Sequence, residues 1–115
     1  MEKEIFINKT LDIISEVTDE QNLRKDWETG SLVIEFGDSN NKPCEIRIYR
    51  IFFGLFNRIN FSINLQWVAE YEISRKEFKL IKNSFEQRIT DIKSSKLNEF
   101  FTQENRDNKI NQLIS

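Results

Sequence analysis

Residues Ile59 to Ser74 alternate between apolar and polar side chains with one lapse. Odd positions carry Ile59, Phe61, Ile63, Leu65, Trp67, Ala69, Tyr71 and Ile73. Even positions carry Asn60, Ser62, Asn64, Gln66, Glu70, Glu72 and Ser74, and Val68 is the apolar exception. A period of two turns one set of side chains to a core and the other to water or a partner. The run therefore predicts one long, half-buried antiparallel strand with Trp67 on its core face.

Upstream, Ser31 to Phe36 alternates through Leu32, Ile34 and Phe36 and predicts a first strand. Gly37 to Pro43 is a loop by composition, because its residues either tolerate positive φ or bond their own backbone. Glu45 to Phe53 predicts a second strand that is apolar on both sides, with Ile46, Ile48 and Phe52 on one and Tyr49, Ile51 and Phe53 on the other. Register decides which set faces the core. A five-residue connection, Gly54 to Arg58, puts Tyr49, Ile51 and Phe53 inside; a four-residue connection exchanges the faces.

Helical spacing appears at both ends of the chain. Ile7, Leu11, Ile13, Ile14 and Val17 recur at three- and four-residue steps, predicting a helix over about Asn8 to Asp26. Thr18 and Gln21 would restart it after a bend, and Leu23 and Trp27 would continue its apolar side. Ile5 to Ile7 reads alternatively as a short strand, with Asn8 as the helix cap. Ser74-Arg75-Lys76-Glu77 is a capping box at the end of the long strand. The helix after it buries Phe78, Ile81, Phe85, Ile89 and Ile92, with Ser94-Ser95 as a point where it bends or restarts. Leu97, Phe100 and Phe101 carry an apolar side onward.

The fold class that follows is α+β: an N-terminal helix, a three-stranded antiparallel meander and a long C-terminal helix packed on one sheet face. With 115 residues and no internal repeat or linker, the chain reads as a single domain over 1–115. Its polar segment 103–115, with a small cluster at Ile110, Leu113 and Ile114, reads as frayed or as a short docked tail.

Composition narrows the chemistry. The chain has no histidine, which removes Ser-His and Cys-His nucleophile pairs and His-containing metal sites. One cysteine, Cys44, permits neither an intramolecular disulfide nor a Cys-rich zinc site, and beside Pro43 it reads as a packing residue. Three glycines form no phosphate loop. No cofactor and no metal are expected. Glu70 and Glu72 share one strand face, and Glu35 could join them, but acid–base work needs their environments to differ. The plain reading is a solvated strand end beside Arg75 and Lys76. Lacking an apolar run of about 18 residues and a signal-peptide core, the chain reads as cytoplasmic, with no membrane association. Its wealth of Asn, Lys and Ile is compatible with an AT-rich bacterial mobile element.

A net charge of −2 argues against a dedicated polyanion binder. One local cluster is basic: Arg75, Lys76, Lys79 and Lys82 at the start of the second helix. Cations there oppose the helix dipole, which an anionic partner would relieve. With these residues and the order helix–three strands–helix, the chain resembles double-stranded-RNA-binding domains in topology. It lacks the Gly-Pro-x-His type loop of that family between the first two strands. The resemblance implies a nucleic-acid contact at those four residues. The plain reading is a solvated helix face balanced by Glu77 and Glu86.

In either register large apolar groups lie on the polar side of the sheet. Either the first helix or the tail covers them, or a partner does. The function class favoured is a non-catalytic, stoichiometric protein-binding module of the immunity or inhibitor type, one that neutralises a cognate protein such as a bacterial toxin. Tyr49, Asn64, Gln66, Glu70 and Glu72 are its expected contact residues, and a sheet edge or face also offers a route to a homodimer. The alternatives are a nucleic-acid binder and a His-free enzyme.

Overall fold

The computed structural model describes residues 2–52 and 54–114, with side chains as far as Arg106. In chain order it comprises helix α1 (Lys3–Glu16), a 3-10 turn (Glu20–Asn22), strands β1 (Leu23–Asp26), β2 (Ser31–Gly37), β3 (Pro43–Ile51), β4 (Phe56–Ile63) and β5 (Gln66–Ile73), and helix α2 (Arg75–Ile114). All neighbouring strands are antiparallel and lie in chain order. The fold is thus α+β with a helix at each end of the chain, and the sheet has five strands where three were expected.

The first additional strand is β1. The expected helix over Asn8 to Asp26 starts earlier, at Lys3, and stops at Glu16, so Ile5 to Ile7 is helical and not a strand. Phe6, Ile7, Thr10 and Ile14 form its buried stripe. Val17 is extended, and the cap downstream is Asp19, whose carboxylate accepts the Gln21 amide at 3.0 Å. Leu23 and Trp27 do not share a helix face: Leu23 is buried opposite Ile34, whereas Trp27 is 89% exposed in the turn that follows. Asp26 shapes that turn by accepting the Glu28 amide at 3.1 Å, and Gly30 closes it at φ +68.

The second additional strand comes from dividing the long alternating run. Asn64 and Leu65 have φ of 51 and 66, and Ile63 pairs with Gln66, which defines a two-residue hairpin of the type I′ kind. Such a turn pairs an odd residue with an even one and would put even positions of β5 inside. A bulge restores the odd phase: Ser62 pairs with Trp67 but Phe61 pairs with Ala69, leaving Val68 as the extra residue. Ala69, Tyr71 and Ile73 therefore return to the inner face. Leu65 and Trp67, caught between turn and bulge, do not, and Trp67 is 66% exposed. The expectation of a core Trp67 is overturned.

Leu65 is 96% exposed while holding a left-handed backbone. Leu65→Gly removes the Cβ penalty without losing packing and should stabilise the fold by about 1 kcal/mol, Asn-Gly being the favoured pair for this turn. An unchanged or lowered urea midpoint would contradict that turn geometry.

Between β3 and β4 the connection has four residues, since Ile51 pairs with Phe56. Ile46 and Ile48 consequently face the helices, and Tyr49 and Ile51 face away. Phe52 belongs to the connection, at φ 52; Phe53 lies outside the described residues. Both helices cover the inner face. Phe6, Ile7, Ile14 and Val17 from one side and Phe78, Ile81, Phe85 and Ile92 from the other enclose Leu32, Ile34, Ile46, Ile48 and Ile59. Each such side chain contributes roughly 1.5–3 kcal/mol by leaving water.

The capping box forms as written. The Ser74 amide donates to Glu77 at 2.9 Å and the Glu77 amide donates to Ser74 Oγ at 3.1 Å. Burial opposes the charge of Glu77, but the bonds with Ser74 and the nearby Lys3 ammonium outweigh it and lower its pKa. A carboxylate with a depressed folded pKa stabilises above its unfolded value and loses that contribution as pH falls through the folded one. Between about pH 5 and pH 3, Glu77→Gln should lose less stability than the parent, read as a shallower dependence of melting temperature on pH. Equal slopes would contradict it. Beyond the cap, α2 continues through Ser94 and Ser95, where a bend was expected, and the polar stretch from Gln103 extends the same helix to Ile114. The side chains of Ile110, Leu113 and Ile114 lie outside the described ones.

Candidate functional site

Among the described residues no helix lies over the sheet's outer face. Antiparallel register sets its side chains in rows. One row runs Arg24, Val33, Arg47, Asn60 and Glu70. Beside it Tyr49, Arg58 and Glu72 form a second, and Glu35, Glu45, Ser62 and Trp67 a third. A cover of charged side chains lies over β1–β3. Arg47 donates to Asp26 at 2.9 Å and to Glu45 at 3.1 Å, and Arg24 donates to Glu35 at 3.0 Å. Beneath that layer Ser31 and Val33 are buried.

The charges are held in place. The Arg47 guanidinium beside Asp26 leads the lowering of that carboxyl's pKa, against the cost of desolvation. Burial works against the charge of Arg47 itself, but Asp26 and Glu45 outweigh it and raise its pKa. Each pair is partly exposed to water, so the layer supplies pattern more than stability.

Across β3–β5 the Tyr49 hydroxyl donates to Glu70, whose other oxygen accepts from Arg58 Nη1 at 3.0 Å. Burial first, then the Glu70 carboxylate, raises the pKa of Tyr49, which favours its role as a neutral donor. Both oxygens of Glu70 are engaged, and Glu72 stands opposite Arg58. Glu35, on β2, is three strands away and paired with Arg24, so the three carboxylates are not brought together.

Apolar groups flank this polar centre. At one end Ile51 pairs with Phe56, and the connection beyond presents Phe52 and Leu55, 67% and 70% exposed. The Phe52 and Phe56 rings meet edge to face at 6.0 Å. At the other end stands Trp67. The rows of Phe56 and Ser62 are six residues apart on β4, about 20 Å.

Of the five expected contact residues, Tyr49, Glu70 and Glu72 share this face. Asn64 lies in the β4–β5 turn, and Gln66 starts β5 beside it. Trp67, Arg47, Arg58 and the Phe52–Phe56 end were not singled out by the sequence. Trp67 was hidden by the bulge. The two arginines acquire meaning only once register is known. For the apolar end, the run of Ile51, Phe52, Leu55 and Phe56 around Gly54 was the available signal.

The alternative basic cluster lies elsewhere. At 100° per residue, Arg75, Lys79 and Lys82 occupy one flank of α2, and Lys76 points away from it. Lys82 lines a cleft of about 230 Å³ with Lys25, Trp27, Arg50 and Phe78. There the Arg50 guanidinium lies 4.2 Å from the Phe78 ring centre. Cys44 is buried, and its Sγ donates to the Lys42 carbonyl at 3.5 Å. Burial, then Asp38, raises its pKa, the opposite of what a nucleophile needs.

Among the described residues no group of three or more Cys, Asp or Glu side chains could hold a metal ion, and no helix is long and apolar enough to cross a membrane. Comparison with protein families, with curated proteins and with solved structures finds no match to this chain.

Proposed function

We propose that the protein is a non-catalytic, stoichiometric protein-binding module of the immunity or inhibitor type, engaging a cognate protein with its outer sheet face and the β3–β4 connection. The observation that carries this reading is the exposed Phe52, Leu55 and Phe56 cluster, continuous with a charge-patterned sheet surface. Aromatic anchors beside a polar field are the usual anatomy of a protein interface. Three arginines and five carboxylates interleave there, Arg24, Arg47 and Arg58 with Asp26, Glu35, Glu45, Glu70 and Glu72. Alternating signs suit the mixed surface of a folded protein better than a uniform polyanion. Glu70, the carboxylate best placed for acid–base work, is already engaged by Tyr49 and Arg58, which supports binding over catalysis.

The second reading, nucleic-acid binding through Arg75, Lys76, Lys79 and Lys82, draws on the cleft where Lys25, Arg50 and Lys82 gather beside Trp27 and Phe78. Cations beside aromatic faces are what single-stranded nucleic acid uses.

Affinity capture of the tagged protein from its native lysate at low salt, with and without nuclease, separates the two. A one-to-one protein complex that survives nuclease, seen by native mass spectrometry, is the expected result. Tyr49→Ala and Glu70→Lys should each weaken that complex by about tenfold or more while leaving the melting transition cooperative. Unchanged affinity in both would remove this face. Nucleic acid recovered only without nuclease, and lost on reversing the four basic charges, would replace the first reading with the second.

A further inference from the structure

Helix α2 is longer than the sheet it packs on. Its last side chain buried in the core is Ile92. From Lys93 to Ile114 it projects for on the order of 30 Å at 1.5 Å per residue. A helix this long, whose described side chains beyond Ile92 are all exposed and which contains Ser94, Ser95, Asn98 and Asn105, is marginal alone in water. Leu97, Phe100 and Phe101 are nevertheless more than half exposed on it.

Lys93, Leu97, Phe100 and Glu104 follow one another at steps of four, three and four, which places them on a single stripe with Phe101 beside it. The stripe therefore reads cation, apolar, apolar, anion. It is its own complement when turned end to end.

We propose that this stripe pairs antiparallel with the same stripe of a second copy of the chain, forming a homodimer about a two-fold axis between Leu97 and Phe100. In that register Leu97 of each copy faces Phe100 of the other. Lys93 of each copy faces Glu104 of the other, so both ends of the apolar centre close with an ion pair. The Phe100 and Phe101 rings, already edge to face at 6.1 Å, complete that centre. A parallel pairing would set Lys93 against Lys93 and Glu104 against Glu104. An unrelated partner would have no reason to match this order of charges. The contact is isologous, as a two-fold dimer requires, and leaves the outer sheet face free, so it stands or falls independently of the proposed function.

The test is sedimentation equilibrium by analytical ultracentrifugation on the full chain and three variants, with circular dichroism as the check on folding. The parent should be a concentration-dependent dimer. Leu97→Glu, an exposed position, should raise the dissociation constant by about 30-fold or more, as loss of a central anchor does. Lys93→Glu should also weaken the dimer by opposing two glutamates. Adding Glu104→Lys to it should restore the dimer. Within one helix the two residues are about 16 Å apart, so the rescue has to arise between chains. A parent that stays monomeric at every attainable concentration overturns the proposal. So does a dimer indifferent to Leu97→Glu, or one that the double charge reversal fails to repair.

Discussion

Deleting Asn60 should abolish cooperative folding, while deleting Val68 should leave the fold standing. The two positions lie on the same face of what reads in sequence as one alternating run, so a single continuous strand would suffer similarly from either loss. β4 is bonded on both sides, to β3 and to β5. Removing Asn60 from it forces a half-turn in phase that no neighbouring bulge absorbs. Either Ile59 leaves a site where it is wholly buried and Arg58 turns inward, or Phe61 leaves and Ser62 enters. Exposing such a side chain costs roughly 1.5–3 kcal/mol, and burying an unpaired guanidinium costs several more. The sum approaches the whole stability of an ordinary domain, about 5–15 kcal/mol. Val68 is the residue that the bulge adds. Without it Ser62 still meets Trp67 and Phe61 still meets Ala69, now as consecutive pairs of a regular hairpin. The change in stability should stay within about 1 kcal/mol. Thermal unfolding followed by circular dichroism checks both. A Val68 deletion that unfolds, or an Asn60 deletion that melts like the parent, would contradict the hairpin and its bulge.

Trp67→Ala should cost binding and not stability. Alternation along 59–74 places this ring in the core, where its loss would cost about 3–5 kcal/mol. On the outer face opposite Ser62, mostly in water, it should cost less than about 0.5 kcal/mol. As an exposed aromatic at the edge of the proposed interface it should contribute about 2 kcal/mol or more to the complex, a dissociation constant raised about 30-fold. The pair of readings is decisive because they move in opposite directions. A melting temperature lowered by more than about 10 °C would return the ring to the core. Unchanged affinity with unchanged stability would remove it from the interface.

What the sequence made legible is what local chemistry determines. The capping box at Ser74 and Glu77 needs only four residues, and it forms with both hydrogen bonds. Phe78, Ile81, Phe85 and Ile92 keep a 3.6-residue period, and they are the buried face of α2. Two features cancelled in the Ile59 run and so stayed hidden. A two-residue turn shifts the alternation by one and a one-residue bulge shifts it back, leaving Val68 as the single visible trace. β1 was too short, at four residues, for a period of two to stand out against the helical spacing of Leu23 and Trp27. The site divides along the same line. Glu70 and Glu72 were placed by alternation, whereas the side taken by Tyr49 waited on register; all three lie on the outer face. Arg47 and Arg58 are ordinary arginines until register brings them within hydrogen-bonding reach of Asp26 and Glu70. Phe52 read as a strand residue because nothing in its neighbours announces that β3 ends at Ile51.

The claim that the outer face and the β3–β4 connection form the partner surface is tested most directly by hydroxyl-radical footprinting of the isolated complex. Aromatic side chains report both candidate surfaces in one experiment. Phe52, Phe56 and Trp67 should lose reactivity on binding, while Trp27, beside the basic cleft, keeps its own. Protection of Trp27 with Trp67 and Phe56 left as reactive as in the free protein would contradict it.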